Sequence, residues 1–369
     1  MSKPIQTLDV RIPAAEAGCY TIAVGQGILA DVWADIRRRW PNCSPFVVTD
    51  AAVAEAGHLK TLLGTAAAPV YVIEPAGEAS KHIQTVAAIV EAMEKERLGR
   101  DTVVAALGGG TVGDIAGFAA AIFKRGVPVI QIPTTAVAQA DSAIGGKTGV
   151  DSSVSKNAFG VFWHPAAVYI DVKTLLTLDD RQYRAGLVES VKHAAIADAV
   201  YFEYLENNID AILKKDLSML EYMAMTNCRI KASVVQEDPT EKNKRRILNY
   251  GHTIGHAVEA ASGFGLLHGE CVAIGMKAAG RIEKAMGLVR DSRLERIETL
   301  LRKLQMPAKI PANLKKERIL DLLKMDKKAV GQWPRFVLLE SLGQVWCKDG
   351  QWAADVPTGI VKETVSQLY

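Results

Sequence analysis

Near Leu178 the apolar residues of this chain change their period. Upstream, the β-rich runs "TLDVRI", "SPFVVTD", "PVYVIEP", "TVVAALGGG" and "PVIQIPTT" alternate with amphipathic stretches such as "ILADVWADIRRRW" and "ASKHIQTVAAIVEAMEKERLG". Such alternation predicts an α/β domain with a largely parallel sheet, because each strand needs a crossover helix to bring the chain back. Downstream, "RQYRAGLVESVKHAAIADAVYFEYLENN", "LSMLEYMAMTNCRIKASVVQED" and "HGECVAIGMKAAGRIEKAMG" space their apolar residues by three and four, as a helix does. A late run, "PRFVLLESLGQVWCKDG", reads as strands again, in a hairpin beside the helices. At 369 residues the chain exceeds what one core comfortably supports. We therefore expect an α/β N-terminal domain over 1–177 and an all-α C-terminal domain over 178–369, with a ligand in the cleft between them.

The net charge of +3 is too weak to draw in nucleic acid or a membrane surface. Five scattered cysteines without a CxxC spacing fit a reducing compartment better than a disulfide framework. The first residues lack a basic-then-apolar leader, and the apolar region from Val103 to Phe123 is broken by Asp114 and glycines. The expectation is a cytoplasmic protein with no membrane or nucleic-acid partner.

In "VVAALGGGTVGDIAGFAAAIF" an apolar strand runs through Gly108, Gly109 and Gly110 into a predicted helix. Glycines let a phosphate approach the backbone, and the free N–H groups of a helix start favour an anion. A tight βα turn without a ligand would look the same, and the strict GxGxxG order is absent. Asp50, ending "FVVTD", stands where an acidic side chain meets a ribose or caps the next helix.

The stretch "TTAVAQADSAIGGKTGVDSSVSKNAFG" sets Asp141, Lys147, Lys156 and Asn157 among small apolar residues. Lysines there are costly unless they face a cleft or an anionic partner. Arg125, Lys192, Lys231 and Arg245 are further cationic candidates, although each alone reads as a solvated charge. In "NYGHTIGHAVE", His252 and His256 stand four apart, and Glu259 continues their face. With His268 in "LLHGE", three of the seven histidines fall within seventeen positions. Imidazoles with a carboxylate suit zinc and leave a position open for chemistry, but composition leaves open which carboxylate joins them.

Taken together, these segments resemble the 3-dehydroquinate synthases, members of the sugar phosphate cyclases. The likeness covers nearly the whole chain and rests on the ordered blocks "GGGTVGDIAGFAA", "RGVPVIQIPTT", "DSAIGGKTGVD", "SKNAFG", "AGLVESVKHAAIAD", "LNYGHTIGHAVE" and "HGE". The resemblance implies an NAD-binding α/β domain, a helical metal-binding domain, and a divalent metal, zinc or cobalt. It implies conversion of 3-deoxy-D-arabino-heptulosonate 7-phosphate to 3-dehydroquinate and phosphate, in the shikimate route to aromatic amino acids. Transient oxidation by NAD, β-elimination, reduction and intramolecular aldol closure are the implied steps.

Carried over by motif, the metal ligands would be Glu189, His252 and His268, which makes His256 a neighbouring substrate or proton-relay residue. Lys192, His256, Asp141 and Glu241 would be catalytic. Lys147, Lys156, Asn157, Lys231, Arg245, Asn249 and one of Lys327 and Lys328 would bind substrate. Arg125 would reach the phosphate from the neighbouring subunit of a homodimer. NAD would meet Asp50, Glu78, Lys81, Gly109, Gly110, Thr111, Val112, Gly113, Asp114, Thr134 and Thr135. Two departures stand out: "VSKN" has serine where the family usually has glycine, and "DPTEKNKR" replaces "DExExGxR".

Two enzymes share these features. A metal-dependent alcohol dehydrogenase of similar fold would release NADH, and its small neutral substrate has no use for Lys147, Lys156, Asn157 and Arg245. Aminodehydroquinate synthase would keep almost every residue. A third reading, an NAD- and metal-binding regulator, would bind both without releasing phosphate.

Overall fold

Alternation within the apolar runs decides which side of a sheet each residue feeds. In β2 (Ser44–Asp50) and β4 (Thr102–Gly108), Phe46, Val48, Val104 and Ala106 face one core, whereas Val47, Val103, Ala105 and Leu107 face another. These strands are buried on both faces, as a parallel sheet covered by helices requires. A computed structural model describes residues 19–263, 265–289, 292–325 and 333–369; the run "TLDVRI", Lys327 and Lys328 lie outside them.

The sheet is completed by β1 (Thr21–Gly25), β3 (Val70–Ile73), β5 (Val129–Pro133) and β8 (Ala167–Asp171), in the all-parallel order β1-β8-β5-β4-β2-β3. Helices α1 (Leu29–Arg39), α2 (Ala51–Glu55) and α3 (His58–Leu63) pack on one face. Helices α4 (Ile83–Lys95) and α5 (Gly110–Ile122) pack on the other. After β2 the chain moves to β3, and after β4 it moves the opposite way to β5. The carboxyl ends of β2 and β4 therefore flank a topological switch point, where open α/β sheets bind ligands.

The strands "TIAVG" and "AVYID" are not among the runs picked out from the sequence, although they are no shorter than β3 and β5. Between β5 and β8, the small-residue stretch forms a π-helical turn, Ala138–Ser142, and an antiparallel hairpin of β6 (Lys147–Val150) and β7 (Phe159–Phe162).

The rest is helical: α6 (Asp180–Ala197), α7 (Ala199–Leu213), α8 (Leu217–Glu237), α9 (His252–Ala261), α10 (His268–Ala285), α11 (Arg293–Lys303), α12 (Lys316–Met325) and α13 (Thr358–Gln367). The expected late hairpin is present as β9 (Leu339–Ser341) and β10 (Gln344–Val345). Val168 and Ile170 of β8 pack into this helical core, so the sheet and the helices share a buried wall. Among the described residues no helix is long and apolar enough to cross a membrane.

Candidate active site

Three helices converge because glycine removes the side chains between them. A Cβ on Gly269 of α10 would lie 1.8 Å from the Ala185 carbonyl of α6, and one on Gly275 would lie 1.7 Å from the carbonyl of Gly251. Gly251, in the left-handed conformation (φ 78), turns the chain into α9 so that His252 is its first residue. At the start of α10, Glu270 accepts from the Leu267 N–H (2.8 Å) and is gripped through both oxygens by Arg181. These contacts bring Glu189 of α6, His252 of α9 and His268 of α10 to one point, with one potential donor atom from each within 4.8 Å of the others.

The donors are oriented as well as close. His252 directs Nδ1 to the Tyr250 carbonyl (3.1 Å) and Nε2 toward Glu189 Oε1 (3.9 Å). His268 directs Nδ1 to Glu259 Oε2 (3.4 Å) and Nε2 toward the same Glu189 oxygen (3.5 Å). Glu189 Oε1 is buried and has no hydrogen-bond partner among the described residues. An orphaned carboxylate oxygen faced by two imidazole nitrogens, each ring anchored through its other nitrogen, fits a divalent cation of the zinc or cobalt kind.

Burial works against a charge on Glu189, but Lys192, His268 and His252 outweigh it and hold the carboxyl well below its usual range. Burial, followed by Lys192, keeps His252 well below the ordinary imidazole value, in the neutral form that binds metals. Burial also opposes a charge on His268, yet Glu189 and Glu259 push it up to about 10. His256 lies against both rings, its centroid 5.1 Å from His252 and 5.9 Å from His268. It forms a second potential donor group with Glu259 and His268.

Beside the triad lies a buried charge cluster. Lys192 is paired with Glu189, and Lys231 Nζ lies 2.6 Å from Asp141 Oδ1 and also donates to the Asp141 carbonyl. Burial would raise Asp141, but Lys231 and Lys192 hold it well below its usual range. Lys192 stays an ammonium because Glu189 and Asp141 outweigh its burial. Lys231 is pushed down by burial, with Arg245 and Lys192 adding to the effect.

The residues expected to meet NAD lie around the switch point. Asp50 ends β2 and caps α2, accepting from the Val53 N–H at 2.9 Å. Gly109 precedes α5, whose backbone ladder begins only at Gly113 N to Gly109 O (3.0 Å). The earlier N–H groups of Gly110, Thr111 and Val112 thus point past the end of the helix, as an anion site requires. Glycine is needed here for close packing: a Cβ on Gly113 would lie 2.6 Å from Gln131 Oε1, and one on Gly109 would press on Thr135. Thr134 N donates to Gly108 O (2.9 Å), and Lys81 pairs with Asp114 (2.7 Å). Glu78 accepts from Thr111 Oγ1 (3.1 Å). A helix start at the switch point, with N–H groups that its own ladder does not use, suits a dinucleotide pyrophosphate.

The remaining predicted residues, Arg125 apart, are tied into ion pairs and hydrogen bonds. Lys156 Nζ lies 2.9 Å from Glu78 and 3.0 Å from Glu259. Lys147 pairs with Glu241, which also accepts from Asn249 Nδ2 (2.7 Å). Arg245 donates to the carbonyls of Pro239 (2.7 Å) and Gly145 (2.9 Å), leaving a buried Nε without an acceptor among the described residues. Asn157, in the left-handed region (φ 48), donates its N–H to Asp151 (2.7 Å). Arg125 stands apart: it is exposed, with φ 71, and makes no ion pair or hydrogen bond among the described residues.

The loop of the second departure is held by side-chain contacts, with Glu241 in the left-handed region (φ 58). Asp238 accepts from the N–H groups of Lys242 (2.9 Å), Asn243 (2.7 Å) and Arg245 (3.0 Å), which shapes the loop through its carboxylate. Asn243, at the glycine position of the family form, has φ −147, and Ser155 is likewise outside the left-handed region.

Sequence reasoning missed His193, which is fully buried with Nε2 3.9 Å from Asp141 and Nδ1 3.3 Å from Asn227. Its one sequence signal was a histidine next to Lys192 in a stretch otherwise read as core.

The family model described as 3-dehydroquinate synthase N-terminal matches residues 70–185, and the C-terminal one matches 186–329. A 3-dehydroquinate synthase of Symbiobacterium thermophilum is 44% identical over 84% of this chain and 88% of its own length. Among solved structures, 2-deoxy-scyllo-inosose synthase complexed with carbaglucose-6-phosphate, NAD+ and Co2+ superposes with a TM-score of 0.85 at 28% identity, covering 96% of this chain and 98% of its own. ValA, a 2-epi-5-epi-valiolone synthase from Streptomyces hygroscopicus with NAD+ and Zn2+ bound, gives the same TM-score and identity over 97% and 99%. With matching sequence models across both halves and a relative of this identity over most of its length, the chain belongs to the 3-dehydroquinate synthase family.

Proposed function

We propose that this protein converts 3-deoxy-D-arabino-heptulosonate 7-phosphate to 3-dehydroquinate and phosphate, with NAD and zinc or cobalt as resident cofactors. The observation that carries the reading is the turning of two imidazole Nε2 atoms toward the orphaned oxygen of Glu189, beside a cluster of buried cations. Glu189, His252 and His268 would hold the metal, and the Gly109–Asp114 turn would hold the pyrophosphate of NAD. When bound, NAD takes up and returns a hydride while the metal polarises the oxygen it touches.

The chain's own residues bind and orient the substrate. Lys147, Lys156, Asn157, Lys231, Arg245 and Asn249 would grip its carboxylate, hydroxyl and phosphate groups, directing remote binding energy to alignment of the reacting carbon atoms. Lys192 and Lys231, as buried donors beside Asp141, would stabilise charge developing on a substrate oxygen. His256 sits against the two candidate ligands, where it would carry a proton between substrate and solvent. Glu241 would orient Lys147 and Asn249, both of which it contacts.

The same proposal makes the protein a cytoplasmic homodimer of the shikimate route. Arg125, exposed and without an ion pair or hydrogen bond among the described residues, would meet the phosphate bound by the neighbouring subunit. The test is direct. Purified protein given the heptulosonate phosphate, zinc and a trace of NAD should release phosphate far beyond the amount of NAD, with no net NADH. NADH formed in proportion to substrate would favour a dehydrogenase, and tight binding without phosphate release a regulator.

A further inference from the structure

Glu259 belongs to the helix that supplies one candidate ligand and touches the ring of another. It lies seven residues, about two turns, beyond His252 on α9, so both side chains share a face. Its side chain is only 8% exposed, and both oxygens are engaged. Oε2 lies 3.4 Å from His268 Nδ1, and Oε1 lies 3.0 Å from Lys156 Nζ. Lys156 in turn reaches Glu78 Oε1 (2.9 Å), next to the head of α5. The chain of contacts therefore spans from the sheet domain to the third imidazole.

An ionised carboxylate can only accept, so the proton shared with His268 belongs on Nδ1. That choice leaves Nε2, which faces Glu189 Oε1 at 3.5 Å, as the nitrogen that would bind a metal. Without a partner on Nδ1, the ring can rotate about its side-chain bonds and take either tautomer. Lys156 limits the alternative in which Glu259 is itself a ligand with His256, because it occupies the other oxygen.

We propose that Glu259 is a positioning residue of the metal centre: it fixes the orientation and tautomer of His268, while Lys156 secures its carboxylate from the other half of the molecule. The role rests on the metal reading of the previous section. A carboxylate behind a metal-bound imidazole also raises the basicity of that ligand, and loss of such a partner costs 10–100-fold in affinity as an order of magnitude.

The experiment titrates chelator-treated, full-length protein with cobalt(II), following the visible absorbance of the bound ion and its affinity against a competing chelator. Glu259→Ala should weaken binding roughly 10–100-fold and alter the spectrum, with NAD affinity and far-ultraviolet circular dichroism unchanged. Glu259→Gln keeps an oxygen for Nδ1–H and should recover most of the loss. Lys156→Met should fall between wild type and Glu259→Ala. Wild-type binding with an unchanged Glu259→Ala overturns this role alone. A loss in Glu259→Ala as complete as in His252→Ala overturns it too, since Glu259 would then be a ligand. If Glu259→Ala does not fold, the decision passes to the other two variants, and wild-type affinity in both overturns the role. Wild-type protein that takes up no cobalt overturns the metal reading, and this role with it.

Discussion

Lys192 and Glu189, one turn apart on α6, form an ion pair whose side chains are 1% and 0% exposed. The ammonium occupies the carboxylate from one side while His252 and His268 face its other oxygen. Removing one partner of such a pair leaves a buried charge uncompensated, at a cost of about 3–5 kcal/mol. Lys192→Met should therefore lower the stability of the chelator-treated protein by that order. A divalent cation at Glu189 would supply the missing positive charge, so zinc should stabilise the variant more than wild type. Denaturant unfolding with and without zinc measures both quantities. Equal stabilisation of the two proteins would argue that the ion does not sit on Glu189.

Lys147 offers the opposite case, in which function and stability separate. Its side chain is 52% exposed and pairs with Glu241 at the rim. An exposed pair contributes only about 0–1 kcal/mol, so Lys147→Ala should melt close to wild type. The group lost is one of the proposed grips on the substrate. Turnover should collapse while NAD affinity holds, as read from steady-state phosphate release and equilibrium NAD binding. Full activity in this variant would remove Lys147 from the substrate site.

His193 gives a pH signature. Burial, followed by Lys192, pushes its pKa down from 6.5 to about 4. Above 6.5 the ring is neutral in folded and unfolded chains alike and contributes nothing to the pH dependence. As pH falls from 6.5 toward 4, the unfolded chain takes up a proton that the folded one refuses, so stability declines by about 1.4 kcal/mol per pH unit at most. His193→Gln should flatten that part of the stability curve. Ring resonances that titrate near 6.5 in the folded protein would contradict it.

How far the sequence displays this arrangement depends on how local each feature is. Strands β2, β4 and β5 were legible because their apolar runs are compact and bounded by turn residues; β1 and β8, as long as β5, were not picked out. Three histidines within seventeen positions signalled a site, but Glu189 lies far upstream on α6. That helix is buried continuously from Ala185 to Ile196, so no polar stripe marks which face meets a ligand. Only the family resemblance singled out Glu189. The environment of His193 was invisible for the same reason. Glu259 could be seen to continue the histidine face, but its pairing with Lys156 spans 103 positions and appears only in the fold.

The packing that assembles the triad makes the last prediction. Gly269 follows His268 directly, and a Cβ there would lie 1.8 Å from the carbonyl oxygen of Ala185, one turn before Glu189 on α6. The obstruction is backbone, so no side-chain rotation relieves it, and α6 and α10 must separate. Overpacking of this kind costs about 1–3 kcal/mol, occasionally more. The separation also moves His268 away from Glu189, so Gly269→Ala should lose metal affinity together with stability. Gly359→Ala is the control: it lies on α13 with nothing within 4 Å of its added Cβ, and should be neutral or slightly stabilising. Melting temperatures and cobalt titrations of the two variants test the claim. Wild-type metal affinity in Gly269→Ala would mean that the spacing of α6 and α10 does not set the geometry of the centre.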